Sequence, residues 1–262
     1  MKTVSLSYAG RTVVLPDIRE HRKFYRKLTA GTWEPHTFEV LARNLDRNTV
    51  LIDIGAWIGV TPFWASQTAK AVIAVEPDPK CLEILRALAP ACPNVTVLEG
   101  ALSPDAKVTI HAVGGFGSSE TSILDIGDGP DTVVPGLTMT EIMRHAGSHP
   151  AFVKIDIEGY EFAAIQEVSS LRHHAVWGLQ IAVHPQLLER SLAGSRLIRR
   201  ARTTWRVWKL SRMFRGYFPA PAMAKYGNVL SYIVFGVILR KVPKGADFVF
   251  ERRISDRGRG SS

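Results

Sequence analysis

Residues 50–59 read VLIDIGAWIG, from Val50 to Gly59. An apolar run carries one acid, Asp53, and gives way to two glycines, Gly55 and Gly59, with Ala56 and Trp57 between them. Such a run is a buried strand, and glycines directly after it form the tight turn that leads a strand into a helix at a nucleotide site. In the dinucleotide fingerprint G-x-G-x-x-G the middle glycine lets the backbone approach a pyrophosphate. Here that position holds Trp57, the largest side chain available. The turn therefore favours a ligand without phosphates, and the absence of G-K-[ST] excludes a P-loop.

Outward from this stretch, strand and helix signals alternate. AVIAVEP (71–77) is a strand, DPKCLEILRAL (78–88) a helix with Leu82, Leu85 and Leu88 on one face, and VTVLEGALS and KVTIHAV are strands. A glycine–serine loop, GGFGSSET, follows; then come the helix TMTEIMRHA, the strand AFVKIDIEG, the helix YEFAAIQEVSSL and the strand AVWGLQIAVHP. This alternation predicts an α/β fold, a Rossmann-like parallel sheet with helices on both faces. LSYIVFGVILR and DFVFERR predict a closing antiparallel hairpin. The expected organisation is an N-terminal hairpin and helical cap (1–45), a cofactor-binding core (46–189), a basic insertion (190–225), the closing hairpin (226–254) and a disordered tail (255–262).

Composition narrows the class. The 262 residues are 46% hydrophobic, enough to bury a core. Cys81 and Cys92 make neither a disulfide framework nor a metal spacing, so a reducing cytoplasm is the default. The opening MKTVSLSYAGRTVVLP alternates like a strand and lacks the apolar block of a secretory signal. The longest apolar run, Val229 to Leu239, falls short of the roughly 20 residues of a membrane span. A soluble chain, or one peripheral at the inner membrane face, is expected. The net charge of +9 is local: Arg190, Arg196, Arg199, Arg200, Arg202, Arg206, Lys209, Arg212 and Arg215 occur with no acid between them.

In open sheets the ligand lies beyond the carboxyl ends of the strands, where Asp53, Glu76, Glu99 and Asp156 fall. Glu76 ends the second strand of the alternation, where a carboxylate accepts hydrogen bonds from the hydroxyls of a ribose. With Trp57 against a pyrophosphate, these acids point to S-adenosylmethionine, and Asp53 is placed to meet its ammonium group.

IDIGAWIG, AVEPDP, VLEGALS and FVKIDIEGYE, in this order and spacing, resemble the FkbM family of S-adenosylmethionine-dependent methyltransferases. The resemblance spans roughly residues 32–185 and implies a class I methyltransferase fold, a seven-stranded sheet with an antiparallel last strand. It also implies methylation of hydroxyl oxygens of sugars, glycolipids or secondary metabolites. By position it assigns Asp53, Gly55, Ala56, Trp57 and Gly59 to the first cofactor turn and Glu76, with Pro77 and Asp78, to the ribose. Glu99, Gly100 and Ala101 then border the adenine, and Glu34 and Thr37 supply lid contacts. The chain departs from the family's usual pattern twice: Trp57 stands where most members have asparagine, and Ala182 where many have glutamate.

VKIDIEGYE sets Lys154, Asp156 and Glu158 on one face of a strand and its exit, since alternate residues share a face. An alcohol needs a proton acceptor or an acidifying cation before it attacks a methyl group. Three roles are open to Asp156: orienting a histidine, taking the proton itself, or holding a divalent metal with Glu158. Lys154 is an ion-pair partner that keeps the carboxylates charged, and His184, at the end of the next strand, is a candidate base. A salt bridge closing the strand end and a backbone-bonded His–Pro turn are the plainer alternatives. Ser118 and Ser119 are candidate substrate contacts.

Leu197, Ile198, Ala201, Trp205 and Trp208 recur at helical spacing among the cations of 190–216. A basic amphipathic helix of this kind suits an anionic membrane surface or an anionic acceptor. Nucleic acid is the weaker expectation, because no RNA-binding module appears elsewhere. Two further readings stand beside methyl transfer. One is a methyltransferase-like scaffold with weakened catalysis, motivated by Ala182. The other is a dinucleotide-dependent oxidoreductase, opposed by Trp57.

Overall fold

Alternation of inward apolar and outward polar residues at the N-terminus folds into a hairpin, β1 (Thr3–Tyr8) against β2 (Arg11–Pro16). Ala9 and Gly10 turn it in left-handed backbone, at φ +44° and +76°. Helices α1 (Arg22–Thr29) and α2 (Pro35–Asn44) complete the cap and are separated at the expected GTWEPHT interruption. This computed structural model describes residues 2–112, 114–118, 121–125, 129–219, 221–222, 229–231, 233 and 246–251.

The continuous apolar runs become a parallel sheet. β3 (Val50–Ile54), β4 (Ala71–Glu76) and β5 (Val95–Glu99) are joined through α3 (Val60–Ser66) and α4 (Pro79–Leu88). Asp78 caps α4 by accepting from the N–H groups of Lys80 and Cys81. Beyond β5 the expected strand VLEGALS breaks at Gly100, φ +149°, and its end, β6 (Ala101–Leu102), enters a different sheet. There it joins β7 (Lys107–Ala112), β8 (Thr121–Ser122) and β9 (Asp131–Leu137). β9 was not expected, because Pro135 and Gly136 within it are poor strand formers.

α5 (Met139–Arg144) opens with a capping box between Thr138 and Glu141. It leads to β10 (Ala151–Ile155), which enters the main sheet beside β3. The helix expected over YEFAAIQEVSSL is broken. A 3-10 turn at Tyr160–Phe162 precedes α6 (Ile165–Ser169), and another turn follows at Ser170–His173. β11 (Val176–Val183), α7 (Pro185–Ser191), α8 (Arg196–Arg212) and β12 (Ala246–Glu251) complete the described elements.

The main sheet runs β12-β11-β10-β3-β4-β5 and is parallel except for β12, which pairs antiparallel with β11. Six strands, not seven, are present among the described residues. The closing strand is as expected. Of its predicted hairpin partner, Val229–Ser231 forms a helical turn and most of the remainder lies outside the described residues, as does the tail 255–262.

Both sheet faces are buried, which is why these strands are apolar throughout rather than alternating. On one face Ile52, Ile54, Val75, Val153, Ile155 and Ile181 pack with α5 and with Val207 and Leu210 of α8. On the other, Leu51, Val72, Ala74 and Phe152 meet α3 and the N-terminal cap. No helix among the described residues is long and apolar enough to cross a membrane.

Candidate active site

The carboxyl ends of β3, β4 and β10 open into a cavity of about 440 Å³. Its wall includes Gly55, Ala56 and Trp57 after β3, Glu76 and Pro77 after β4, and Gly100 and Ala101 after β5. Lys154, Asp156, Ile157 and Glu158 come from β10 and its exit, and Glu34, His21, Phe24 and Trp33 from the cap. The candidate cofactor turn and the candidate chemical groups thus share one space. Sequence reasoning missed the cap residues of α1, whose periodicity reads only as a packed helix.

Trp57 itself sits in left-handed backbone, φ +48°, a region where asparagine is tolerated well and bulky residues are not. This is the physical sense of the family's usual asparagine there. Packing over-determines the strained position. The Trp57 N–H donates to Glu76 Oε2 at 2.7 Å, and the indole Nε1–H to the Gly117 carbonyl at 3.2 Å. The ring stands 4.8 Å from Phe24 and 5.3 Å from His21, centroid to centroid. Trp57 therefore ties the cofactor turn to the cap. Glu34 and Glu158 also have positive φ, +42° and +49°, so three of the four non-glycine residues in that region among the described residues line this cavity. Such strain persists where surrounding structure enforces it, most often at functional sites.

Glu76 is buried, and its second oxygen accepts from the Asp78 N–H at 2.9 Å. Burial pushes its carboxyl up to about 7, against the lowering effect of these two backbone bonds. Asp78, wholly buried, does not line the cavity. Its carboxylate accepts from Gly117 N–H and the Thr121 hydroxyl and so anchors the loop that carries Ser118 to the wall. Ser119 lies outside the described residues.

Asp53 also turns away from the cavity. It is fully buried and pairs with Lys154, its register partner on β10, at 3.2 Å. Gly59 packs so closely on Phe63 that a Cβ would stand 2.3 Å from the ring, and Thr37 accepts from Gln180 Nε2 under the cap. Glu99 is exposed and bridges to Arg86 at 2.7 Å. None of these four lines the cavity. Partners invisible in the local pattern take the side chains of Asp53, Thr37 and Glu99, and Gly59 is packed by the helix it opens.

At the end of β10, Lys154 lies 3.2 Å from Asp53 and 3.5 Å from Asp156 Oδ2. Burial disfavours its charge, but Asp53, Asp156 and Glu34 outweigh that and hold it protonated. Burial first, then Asp156, pushes Glu34 up to about 7. His184 is close to Asp156, as the strand order predicts: Nε2 is 3.7 Å from Asp156 Oδ1 and 3.6 Å from Glu158 Oε2. Its Nδ1 lies 3.0 Å from Glu161 Oε1, which also accepts from the N–H groups of Ile157 and Gly159. Burial lowers the His184 pKa, yet Glu161, Glu158 and Asp156 overcome it and push it up to about 10. These carboxylates favour the protonated imidazole.

Glu161, the last residue of KIDIEGYE, was quoted in the sequence but given no role there. Asp247 was also missed. It stands on β12 directly opposite Ala182 and accepts from Gln180 Nε2 at 3.3 Å, with Asp156 raising its pKa after burial. A carboxylate thus stands on the adjacent strand opposite Ala182.

A family model described as the methyltransferase FkbM domain matches residues 53–200, more than half of the chain. The chain belongs to the FkbM family of S-adenosylmethionine-dependent methyltransferases. No curated protein matches this FkbM methyltransferase. Among solved structures, the FkbM methyltransferase from Methylobacillus flagellatus KT is 15% identical, at a TM-score of 0.42; 90% of this chain and 56% of that one are covered. A protein of Streptococcus mutans, solved in complex with SAH, is 12% identical at a TM-score of 0.48, with 83% and 96% covered. An rRNA methylase from Streptococcus thermophilus is 8% identical at 0.44, with 83% and 94% covered.

The donor set suits S-adenosylmethionine. Glu76 offers carboxylate acceptors for ribose hydroxyls, Ile54, Val75, Leu102 and Ile110 offer an apolar wall for a purine, and the anions around Lys154 suit a cationic sulfonium.

Proposed function

We propose that this FkbM methyltransferase methylates a hydroxyl oxygen of a sugar, glycolipid or secondary metabolite. One observation carries the reading: Glu76 and the first turn share a single cavity with Lys154, Asp156 and Glu158. S-adenosylmethionine, when bound, supplies an electrophilic methyl group. The chain must position the acceptor and remove its proton as the new C–O bond forms. Asp156 is the base, because it lines the cavity with its Oδ2 3.5 Å from the Lys154 ammonium. His184, as an imidazolium, positions Asp156 and Glu158 rather than accepting the proton. Glu76, Pro77, Gly100 and Ala101 hold the nucleoside, and Ser118 borders the acceptor side.

The test is labelled methyl transfer into pools of glycans and lipid extracts. Asp156→Asn should lower turnover by about 10²–10⁴-fold while binding of S-adenosylhomocysteine is retained. Full activity in that variant would overturn the assignment.

α8 supports an acceptor presented at an anionic lipid surface. Its buried line is Thr203, Val207, Leu210 and Ser211, while Leu197 is 80% and Trp205 60% exposed among the arginines. Trp205 and Trp208 stack at 5.0 Å. Exposed indoles beside cations are the signature of an interfacial helix. Flotation with anionic and neutral vesicles at low salt checks this, and equal recovery with both would remove the membrane from the proposal.

A further inference from the structure

The cavity is polarised. Its floor carries the carboxylates of Glu34, Asp156 and Glu158 around the Lys154 ammonium. Its cap side carries Lys23 and Lys27 of α1, which are exposed yet line the wall and so stand at the mouth.

α1 holds a comparison within one helix. Its residues RKFYRKLT include four cations, Arg22, Lys23, Arg26 and Lys27, and no acid. Residues four apart share a helix face, so the two lysines form one pair and the two arginines another. Only the lysine pair lines the cavity. Tyr25 and Leu28, buried against the N-terminal hairpin, fix which pair turns inward. Among the described residues neither lysine has an acid within ion-pair distance. Glu20 lines the same rim and offsets part of its charge, and burial disfavours the charged form of His21, so the two lysines leave the rim net positive.

Beside the lysines, Phe24 lines the cavity and packs edge to face on Trp33 and Trp57, with centroids 5.0 and 4.8 Å away. An aromatic wall with a few charged groups suits a ring that has both an apolar face and a polar end. The purine has its own wall at Val75, Leu102 and Ile110. Among the described residues α8 adds nothing to the lining, so its cations do not serve this space.

We propose that the cap rim is an anion subsite for the acceptor: Lys23 and Lys27 bind a carboxylate or phosphate on a sugar whose ring packs against Phe24 and Trp33. An anion is repelled by the floor carboxylates and drawn to the rim, so the two fields turn the charged end of the acceptor outward and a hydroxyl towards Asp156. This assignment rests on the methyl-transfer reading. Each exposed ion pair adds a few-fold in affinity, so the lysine pair is worth roughly tenfold.

Tryptophan fluorescence, reported by Trp33 and Trp57 in the wall, follows binding of glucuronic acid, glucose 6-phosphate and glucose to the full chain saturated with S-adenosylhomocysteine at low salt. Both anionic sugars should bind roughly tenfold tighter than glucose, and their ratio tells carboxylate from phosphate. In Lys23→Gln/Lys27→Gln the preference should fall to about twofold or less, whereas Arg22→Gln/Arg26→Gln, an equal charge change on the same helix, should keep it. Circular dichroism checks each fold, and Lys27→Gln alone keeps the test decisive if the double variant does not fold. Failure of the anionic sugars to bind, no preference over glucose, or equal losses in the two double variants overturns the proposal. A loss of S-adenosylhomocysteine affinity confined to the lysine variant also overturns it, by assigning the pair to the cofactor. If the parent chain itself does not bind S-adenosylhomocysteine, the methyl-transfer reading fails, and the sugar titrations on the chain alone still read the subsite.

Discussion

The exits of β3 and β10 are neighbours built to one plan. Asp53 is followed by Gly55, Trp57 and Gly59, and Asp156 by Glu158 and Gly159. Each exit carries one strained non-glycine residue, Trp57 at φ +48° and Glu158 at +49°, and a glycine past it at φ +91° or +98°. They differ in how their polar groups are used. After β3 the acid is buried against Lys154, the backbone N–H bonds Glu76, and the indole is held by Gly117. After β10 Asp156 and Glu158 line the cavity, whereas Asp53, which like Asp156 keeps one unpartnered oxygen, does not. One turn is closed on itself and fixes geometry. Its twin carries the charge. Two similar local motifs diverge because only one has a buried cation as its register partner.

The seam between the exits is the place to break this comparison. A Cβ at Gly55 would lie 1.9 Å from the Asp156 carbonyl, and the residue has φ +87°. Gly55→Ala should therefore cost about 3 kcal/mol or more in urea unfolding, since rigid backbone faces the methyl and left-handed strain adds to it. At the closed turn, Glu76→Gln removes the carboxylate but keeps the shape. We expect a roughly tenfold or greater loss of S-adenosylhomocysteine affinity by calorimetry, with a destabilisation of about 1–3 kcal/mol because the new amide nitrogen faces one of two backbone N–H donors.

Trp57 separates strain from packing. Trp57→Ala loses the aromatic contacts with Phe24, His21 and Trp33 and should destabilise by about 2–4 kcal/mol. Trp57→Asn loses the same contacts but suits the left-handed backbone, so it should be milder by about 0.5–1 kcal/mol. Equal losses would show that the positive φ costs nothing.

The smallest effect is on the pH profile of the open turn. His184 titrates near 10 in the fold against 6.5 when unperturbed. Its protonation stabilises the fold fully below pH 6.5, and the contribution declines as pH rises towards 10. In metal-free buffer, His184→Gln should lower the melting temperature by a few degrees at pH 6.5, with the gap closing by pH 10. A gap that widens with pH would contradict the charged imidazole.

Some of this could be read directly from the chain. β3, β4, β10, β11 and β12 fell where apolar runs predicted, because strands buried on both faces need no partner information to be recognised. Gly100 hid the transfer of chain from one sheet to the other, and β9 was concealed by Pro135. At the site, the local rule that alternate residues share a face correctly grouped Lys154 with Asp156.

Which acids reach the cavity was not legible in this way. Asp53 and Asp156 both end a buried strand just before a glycine turn, and the sequence treats them alike. Register decides between them: Lys154 pairs with Asp53 across 101 residues of chain and draws it out of reach. The same holds for Asp247, which stands opposite Ala182 only because β12 runs antiparallel beside β11. Most strands of the main sheet, the glycines at their ends and the family can be read along the chain. Which carboxylates are neutralised and which are left facing a ligand is fixed only on folding. Periodicity is a property of a few consecutive residues, but the charge state of a buried acid depends on neighbours that only folding brings near.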